Sequence, residues 1–255
     1  MNSTLVKYVL TAARRDKLFL SLIGIMVLGG FISLFLSSSA VVEKELFSVV
    51  YLAGSLRLLG LTGLVLFVVF FIRRSFDSRD VEYLLTRPVS RNSFVLSHAA
   101  GFSILAFIVS AALCLGLGFV ANKIGNAEGV IYWSTGVICE YLLIVNVALF
   151  FSMVLSSPVA ASLATLGFYI LGRLMGQLLF VAKTPSEGFI GYQLMTYIFQ
   201  AVSTLFPRLD LMTQTSWLLY GVDGIKDYIF ILTQTVLFVV LILVATLVDL
   251  RKRQF

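Results

Sequence analysis

Six stretches of this chain are apolar over nearly the length that a helix needs to cross a bilayer, and nothing else in the sequence constrains the fold as tightly. They run over 17–36, 56–72, 97–121, 136–155, 159–181 and 228–249. A hydrocarbon core about 30 Å thick takes ~20 apolar residues at helical rise. With no water there to satisfy backbone N–H and C=O groups, each stretch is expected to be an α-helix. The remaining composition leaves no alternative in water: 59% of residues are hydrophobic and 13% charged, against roughly 25% charged in a soluble domain. The expectation is an all-α, polytopic membrane protein: one transmembrane domain over 1–255 with six transmembrane helices. A five-span count would fuse 136–181 into one helix, which is far too long, and Ser156, Ser157 and Pro158 mark a tight hairpin within it.

The basic residues give the orientation. Lys7, Arg14, Arg15 and Lys17 precede span one; Arg73, Arg74, Arg79, Arg87 and Arg91 separate spans two and three; Arg251, Lys252 and Arg253 follow span six. With six spans, all twelve of these, out of 19 basic residues, fall on one side, which the positive-inside rule makes cytoplasmic. Both termini are therefore expected inside, in the cell (inner) membrane, and the net charge of +6 calls for no nucleic-acid partner. The first apolar run starts too late and is too long for a cleaved signal peptide, and is read as an uncleaved span. Cys114 and Cys139 fall in or beside spans and read as small buried hydrophobes.

Catalytic patterns are missing. No lysine follows a glycine, so no phosphate-binding G-x-x-x-x-G-K-[ST] loop exists in the chain. His98 is the single histidine; one imidazole and two scattered thiols make no metal site, and His98 reads as a polar residue at the membrane interface. The chain is expected to move or hold something and not to be an enzyme.

Charges inside apolar runs are expensive and demand partners. Glu140 lies a little over one turn into span four and Arg173 lies in span five, while Arg57 heads the short second span and can snorkel toward the interface. The expectation is a Glu140–Arg173 or a Glu140–Arg57 pair, either structural or lining a substrate path. Gly172 and Gly176 flank Arg173 in a G-x-x-x-G spacing, with Gly167 on or beside the same stripe. Such small residues let another segment approach closely, in a dimer interface, along a pathway, or within the monomer.

Two segments beside the spans are amphipathic. Residues 1–16 place Leu5, Tyr8, Val9 and Ala12 on one helical face and Lys7 and Arg14 opposite, the pattern of a helix lying on the cytoplasmic leaflet. The loop 182–227 is rich in aromatic and aliphatic residues from Phe189 to Tyr220, punctuated by Pro207 and Gly221. It reads as outer interfacial helices between spans five and six. A seventh span over 189–206 would carry the C-terminal basic cluster outside, against the charge rule.

The cytoplasmic loop 73–96 is more patterned than topology requires. Asp77 or Ser78 can cap a helix, Asp80 and Glu82 favour its first turns, and Val81, Leu84 and Leu85 form an i, i+3, i+4 apolar patch. Pro88 pushes Arg87 out of the α region and stops the helix. The run Glu82, Leu84, Leu85, Pro88, Val89, Ser90, Arg91 after span two resembles the coupling segment of permease subunits of type-2 ABC transporters. The six-span layout, the amphipathic N-terminal helix and the outer helices resemble that family too, and "LFPRLDLM" at 205–212 weakly resembles a proline-containing part of its outer loop.

That resemblance implies a mechanism. The chain would pair as a homodimer, or as a heterodimer with a related permease, and dock a cytoplasmic ABC ATPase subunit that binds ATP and Mg; this chain itself would bind no cofactor. Ser78, Asp80, Val81, Glu82, Leu84, Leu85, Arg87, Pro88 and Arg91 would form the coupling helix that enters the ATPase, and export would follow from its closing and opening. Two other readings stay open: a secondary transporter or channel that uses Glu140, or a membrane scaffold that recruits cytoplasmic partners.

Overall fold

The computed structural model describes residues 3–39, 44–77, 91–121, 126–183, 192–222 and 224–252. Among these every regular element is helical: α1 (Ser3–Arg15), α2 (Leu18–Ser39), α3 (Lys44–Asp77), α4 (Arg91–Ala121), α5 (Ala127–Val154), α6 (Pro158–Lys183), α7 (Tyr192–Leu205), a 3₁₀ turn η1 (Leu209–Leu211), α8 (Ser216–Tyr220) and α9 (Ile225–Lys252). Five stretches within α3, α4, α5, α6 and α9 are long and apolar enough to cross a membrane: Leu46–Phe76, Asn92–Ala121, Ala127–Val154, Pro158–Val181 and Lys226–Leu250. The chain is a multi-pass membrane protein. The first apolar run forms α2, a helix of 22 residues, antiparallel to α3: Ser33 Oγ donates to the Ser48 carbonyl at 2.8 Å, and Gly29 faces Leu56.

Several helices start earlier than their apolar runs. Asn126 caps α5, its side chain accepting from the Gly129 N–H at 3.1 Å, which satisfies one of the free N-terminal donors. The span expected over 136–155 therefore begins nine residues sooner. The second span, expected over 56–72, belongs to a 34-residue helix from Lys44, so Arg57 lies within a membrane-length helix and not at its head. The hairpin at Ser156–Pro158 is present: α5 ends at Val154 and α6 opens on Pro158, whose missing N–H costs nothing at a first helical position.

α5 is the hub. It packs against α3, α4, α6, α8 and α9, and from Cys139 to Leu149 all but Leu142 are buried. Phe102, Trp133, Tyr141, Leu143, Ile144 and Leu149 fill the core around it. The peripheral helices turn apolar faces outward, as Leu28, Phe31 and Phe35 do on α2 and Val236, Val240, Val244 and Val248 on α9. A surface of that composition suits lipid and not water.

The N-terminal helix is seated on protein. Leu5, Val9 and Ala13 are buried, with Val9 against Gly101 of α4, where a Cβ would come within 3.0 Å. Tyr8, expected on the buried face, is half exposed and meets Phe71 of α3 with ring centroids 5.7 Å apart. His98 departs from expectation in the opposite sense. It is 1% exposed, bonded through Nδ1 to the Phe94 carbonyl at 2.9 Å and ringed by Phe71, Phe94 and Phe102. The i−4 carbonyl satisfies one ring nitrogen, and the aromatic ring takes the place of interfacial water.

Candidate functional site

The connection between α7 and α9 descends into the bundle instead of lying across its end. Leu209, Met212, Thr213, Trp217 and Leu218 are all buried although only η1 and α8 are regular. Its course follows its neighbours. Trp217 meets Gly129 on α5, Met212 and Thr213 meet Gly136 one layer deeper, and Thr213 reaches Glu140 deeper still. Nearer α7, Leu209 and Pro207 pack on Gly172 and Asp210 on Gly176, both on α6, and Phe206 meets Phe168, one turn before Gly172, with ring centroids 5.0 Å apart. Thr213 sits beside a residue roughly 20 Å along α5 from its first turn.

Glycine makes this approach possible. A Cβ on Gly129 or Gly136 would run into the Trp217 or Met212 carbonyl oxygen, and one on Gly172 would stand 2.9 Å from Leu209 Cδ1. One on Gly176 would strike the Asp210 carboxylate. The G-x-x-x-G pair therefore receives a segment of its own chain. Gly167, expected on or beside the same stripe, has nothing within 4 Å of where a Cβ would stand.

Irregular backbone at membrane depth needs internal partners for its carbonyls, and here the intramembrane charges supply them. Arg57 on α3 donates through Nη1 to the Thr213 carbonyl at 3.1 Å and to Thr213 Oγ1 at 2.7 Å. Arg173 on α6 donates through Nη1 to the Leu209 carbonyl and through Nη2 to the Thr213 carbonyl at 3.4 Å. Thr213 Oγ1 passes its own hydrogen to Glu140 Oε2 at 2.8 Å. The other Glu140 oxygen lies 3.9 Å from Arg57 Nε, and neither of these two buried atoms has a hydrogen-bond partner. Tyr141 bonds the Arg57 carbonyl at 2.9 Å, and Asn126 bonds the Trp217 carbonyl at 2.8 Å.

The three charges singled out in the sequence thus meet at one residue that the sequence did not mark. Arg57 pairs with Glu140 directly and through Thr213, and Arg173 joins them at the Thr213 carbonyl. Arg57 does not snorkel; its side chain is 13% exposed and that of Glu140 0%. Two guanidinium groups facing one carboxylate leave a net positive site, and the excess charge is turned on backbone carbonyls. The chemistry on offer is binding and clamping. Among the described residues no cluster of His, Cys, Asp or Glu could hold a metal ion.

The coupling candidates lie elsewhere. Ser78, Asp80, Val81, Glu82, Leu84, Leu85, Arg87 and Pro88 fall outside the described residues, and Arg91 opens α4. What is described is their mount. α3 ends at Asp77 and α4 begins at Arg91; α1 packs on α4, with Val9 on Gly101, and touches α3 through Tyr8 on Phe71, while Asp16, just past α1, reaches Arg74 at 3.4 Å. No protein-family model matches the chain, and no curated protein does.

Proposed function

We propose that this chain is the membrane subunit of an ATP-driven exporter of the type-2 ABC class. In this reading α2 is the first of six spans, both termini and the 78–90 connection are cytoplasmic in the cell membrane, and α1 lies at the inner surface. The chain pairs with a second permease and docks a separate ATPase that carries ATP and Mg. The polar clamp on Thr213 then closes the outer end of the bundle, and ATP-driven movement of α3 relative to α5 and α6 strains it open.

The observation that supports this best is the bracing of α3 and α4 by α1 on either side of the motif-bearing connection. A segment that transmits force must be held by rigid elements, and the connection that carries Val81, Leu84 and Leu85 in sequence is flanked by α3 and α4. The test is co-purification with the cognate ABC ATPase and ATP-dependent transport in vesicles. Leu84→Asp/Leu85→Asp is expected to abolish both while the permease still folds; retained association and transport would sink the assignment.

A second reading, a secondary transporter or channel using Glu140, has the burial of that carboxylate in its favour. Glu140→Gln separates the two. Loss of proton-driven uptake with no ATP dependence supports the second reading, and ATP-dependent export that survives the change excludes it.

A further inference from the structure

A cleft of about 370 Å³ opens between α1 and α3. Its walls are two facing helical stripes: Tyr8, Thr11, Ala12 and Arg15 from α1, at spacings of three and four, and Phe71, Arg74 and Ser75 from α3. Phe71 and Ala12 give it apolar surface, while Arg15, Arg74 and Tyr8 are exposed at its rim. Asp16 completes the lining. The stretches 14–17 and 73–77 carry five basic residues against two acids, so the surroundings are positive. Lys17 turns the chain into α2 with φ 55, keeping the end of α1 close against this edge.

The polar groups of the cleft are incompletely used. The hydroxyls of Thr11 and Ser75 donate to carbonyls four residues back, leaving acceptors only. Arg74 reaches Asp16 through a single nitrogen at 3.4–3.5 Å, with the two side chains 71% and 36% exposed. A long, exposed pair of this kind contributes little and leaves most of the guanidinium fork available. Two guanidinium groups and a phenol around an apolar surface, at the end of a membrane-length helix, match a phosphate joined to a hydrocarbon body.

We propose that the α1–α3 cleft binds the phosphate headgroup of an anionic glycerophospholipid from the leaflet that α1 faces. Arg15 and Arg74 hold the phosphate, the Tyr8 hydroxyl donates to it, and the glycerol and upper acyl chain lie on Phe71. Asp16 competes with the lipid for Arg74. The inference rests on the reading above only in placing α1 at a membrane surface.

The test is native mass spectrometry of the full-length chain released from detergent, titrated with phosphatidylglycerol or with phosphatidylcholine. Wild type is expected to retain phosphatidylglycerol selectively. Arg15→Gln and Arg74→Gln should each weaken that retention about fivefold. Asp16→Asn breaks the same ion pair as Arg74→Gln and should strengthen retention, a reversal that a merely structural pair would not give. Lys226→Gln removes equal charge elsewhere and should leave retention unchanged. Equal loss in that control, or weakening by Asp16→Asn, overturns the site. Displacement of the lipid by free glycerol phosphate at matching concentration would make the ligand a soluble phosphate and overturn the lipid assignment. So would indifference to phosphatidylglycerol combined with loss of ATPase binding in the arginine variants, which would make the cleft a protein contact. No ATPase enters the lipid measurement, so its failure leaves the coupling assignment standing, and the reverse holds too.

Discussion

The hydroxyl of Thr213 accepts from Arg57 and donates to Glu140, a double role that a serine hydroxyl can fill and a methyl group cannot. Thr213→Val keeps the volume and removes both bonds, leaving Glu140 Oε2 buried without its donor. An unmet buried acceptor costs about 1–3 kcal/mol, more when charged, so unfolding in detergent should shift by at least that amount, with Thr213→Ser nearly silent. Glu140→Gln preserves an acceptor for Thr213 but strips Arg57 of its counter-charge, which should cost about 3 kcal/mol. The double variant Thr213→Val/Glu140→Gln should cost less than the sum, because the acceptor that Thr213→Val leaves unmet is cheaper to bury as a neutral amide than as a carboxylate. Additive losses would mean that Arg57 pairs with each independently. The sequence exposed Arg57, Glu140 and Arg173 because charge in an apolar run is rare. Thr213 was hidden because a threonine in a polar-looking loop carries no such signal.

Among the elements, α5 and α6 show how small residues decide where irregular backbone can go. Gly129, Gly136, Gly172 and Gly176 line the descent of 207–218, so a methyl group at Gly136 must push the Met212 carbonyl, a backbone atom with no rotamer to change. Gly136→Ala is expected to cost about 1–3 kcal/mol, read by thermal melting in detergent. Gly167→Ala, on the open side of α6, should be neutral or gain up to about 1 kcal/mol from helix propensity. The G-x-x-x-G spacing was legible in the sequence, but its occupant was not, since a dimer helix, a neighbouring span and a dipping loop all need the same absence of side chain. The run 136–155 likewise showed the apolar part of α5 and missed its first turns, because Tyr132 and Ser134 lower hydropathy without breaking a helix. The cap at Asn126, with Glu128 in the first turn, was the readable signal for that start. The loop 182–227 read as interfacial because its aromatics have no long period; Tyr197 and Tyr220 are exposed, and that Trp217 is buried against α5 follows from tertiary contacts alone.

Across the whole molecule, α3 links the two ends. It carries Arg57 against the dip and Arg74 against α1, 17 residues apart, or about 25 Å of helix. Under the proposed coupling, force entering at the 78–90 connection reaches Thr213 through this one rigid element, which is why the Leu84→Asp/Leu85→Asp variant should silence transport without disturbing the clamp. The bond between Arg57 and Thr213 spans 156 residues of sequence, and that separation sets a schedule for making the protein. At about 5–20 residues per second, a ribosome needs roughly 8–30 s after releasing Arg57 before its carbonyl partner exists. During that interval a guanidinium inside a membrane-length helix has Glu140, 83 residues behind it, but neither the Thr213 carbonyl nor its hydroxyl to hold it. A chain ending at Leu205 never gains those two bonds. In a pulse-chase experiment it should be cleared several times faster than the full chain, and Arg57→Leu should restore its lifetime. If that substitution fails to rescue the truncated chain, the arginine does not have to wait for its partner, and insertion is complete before the dip is made.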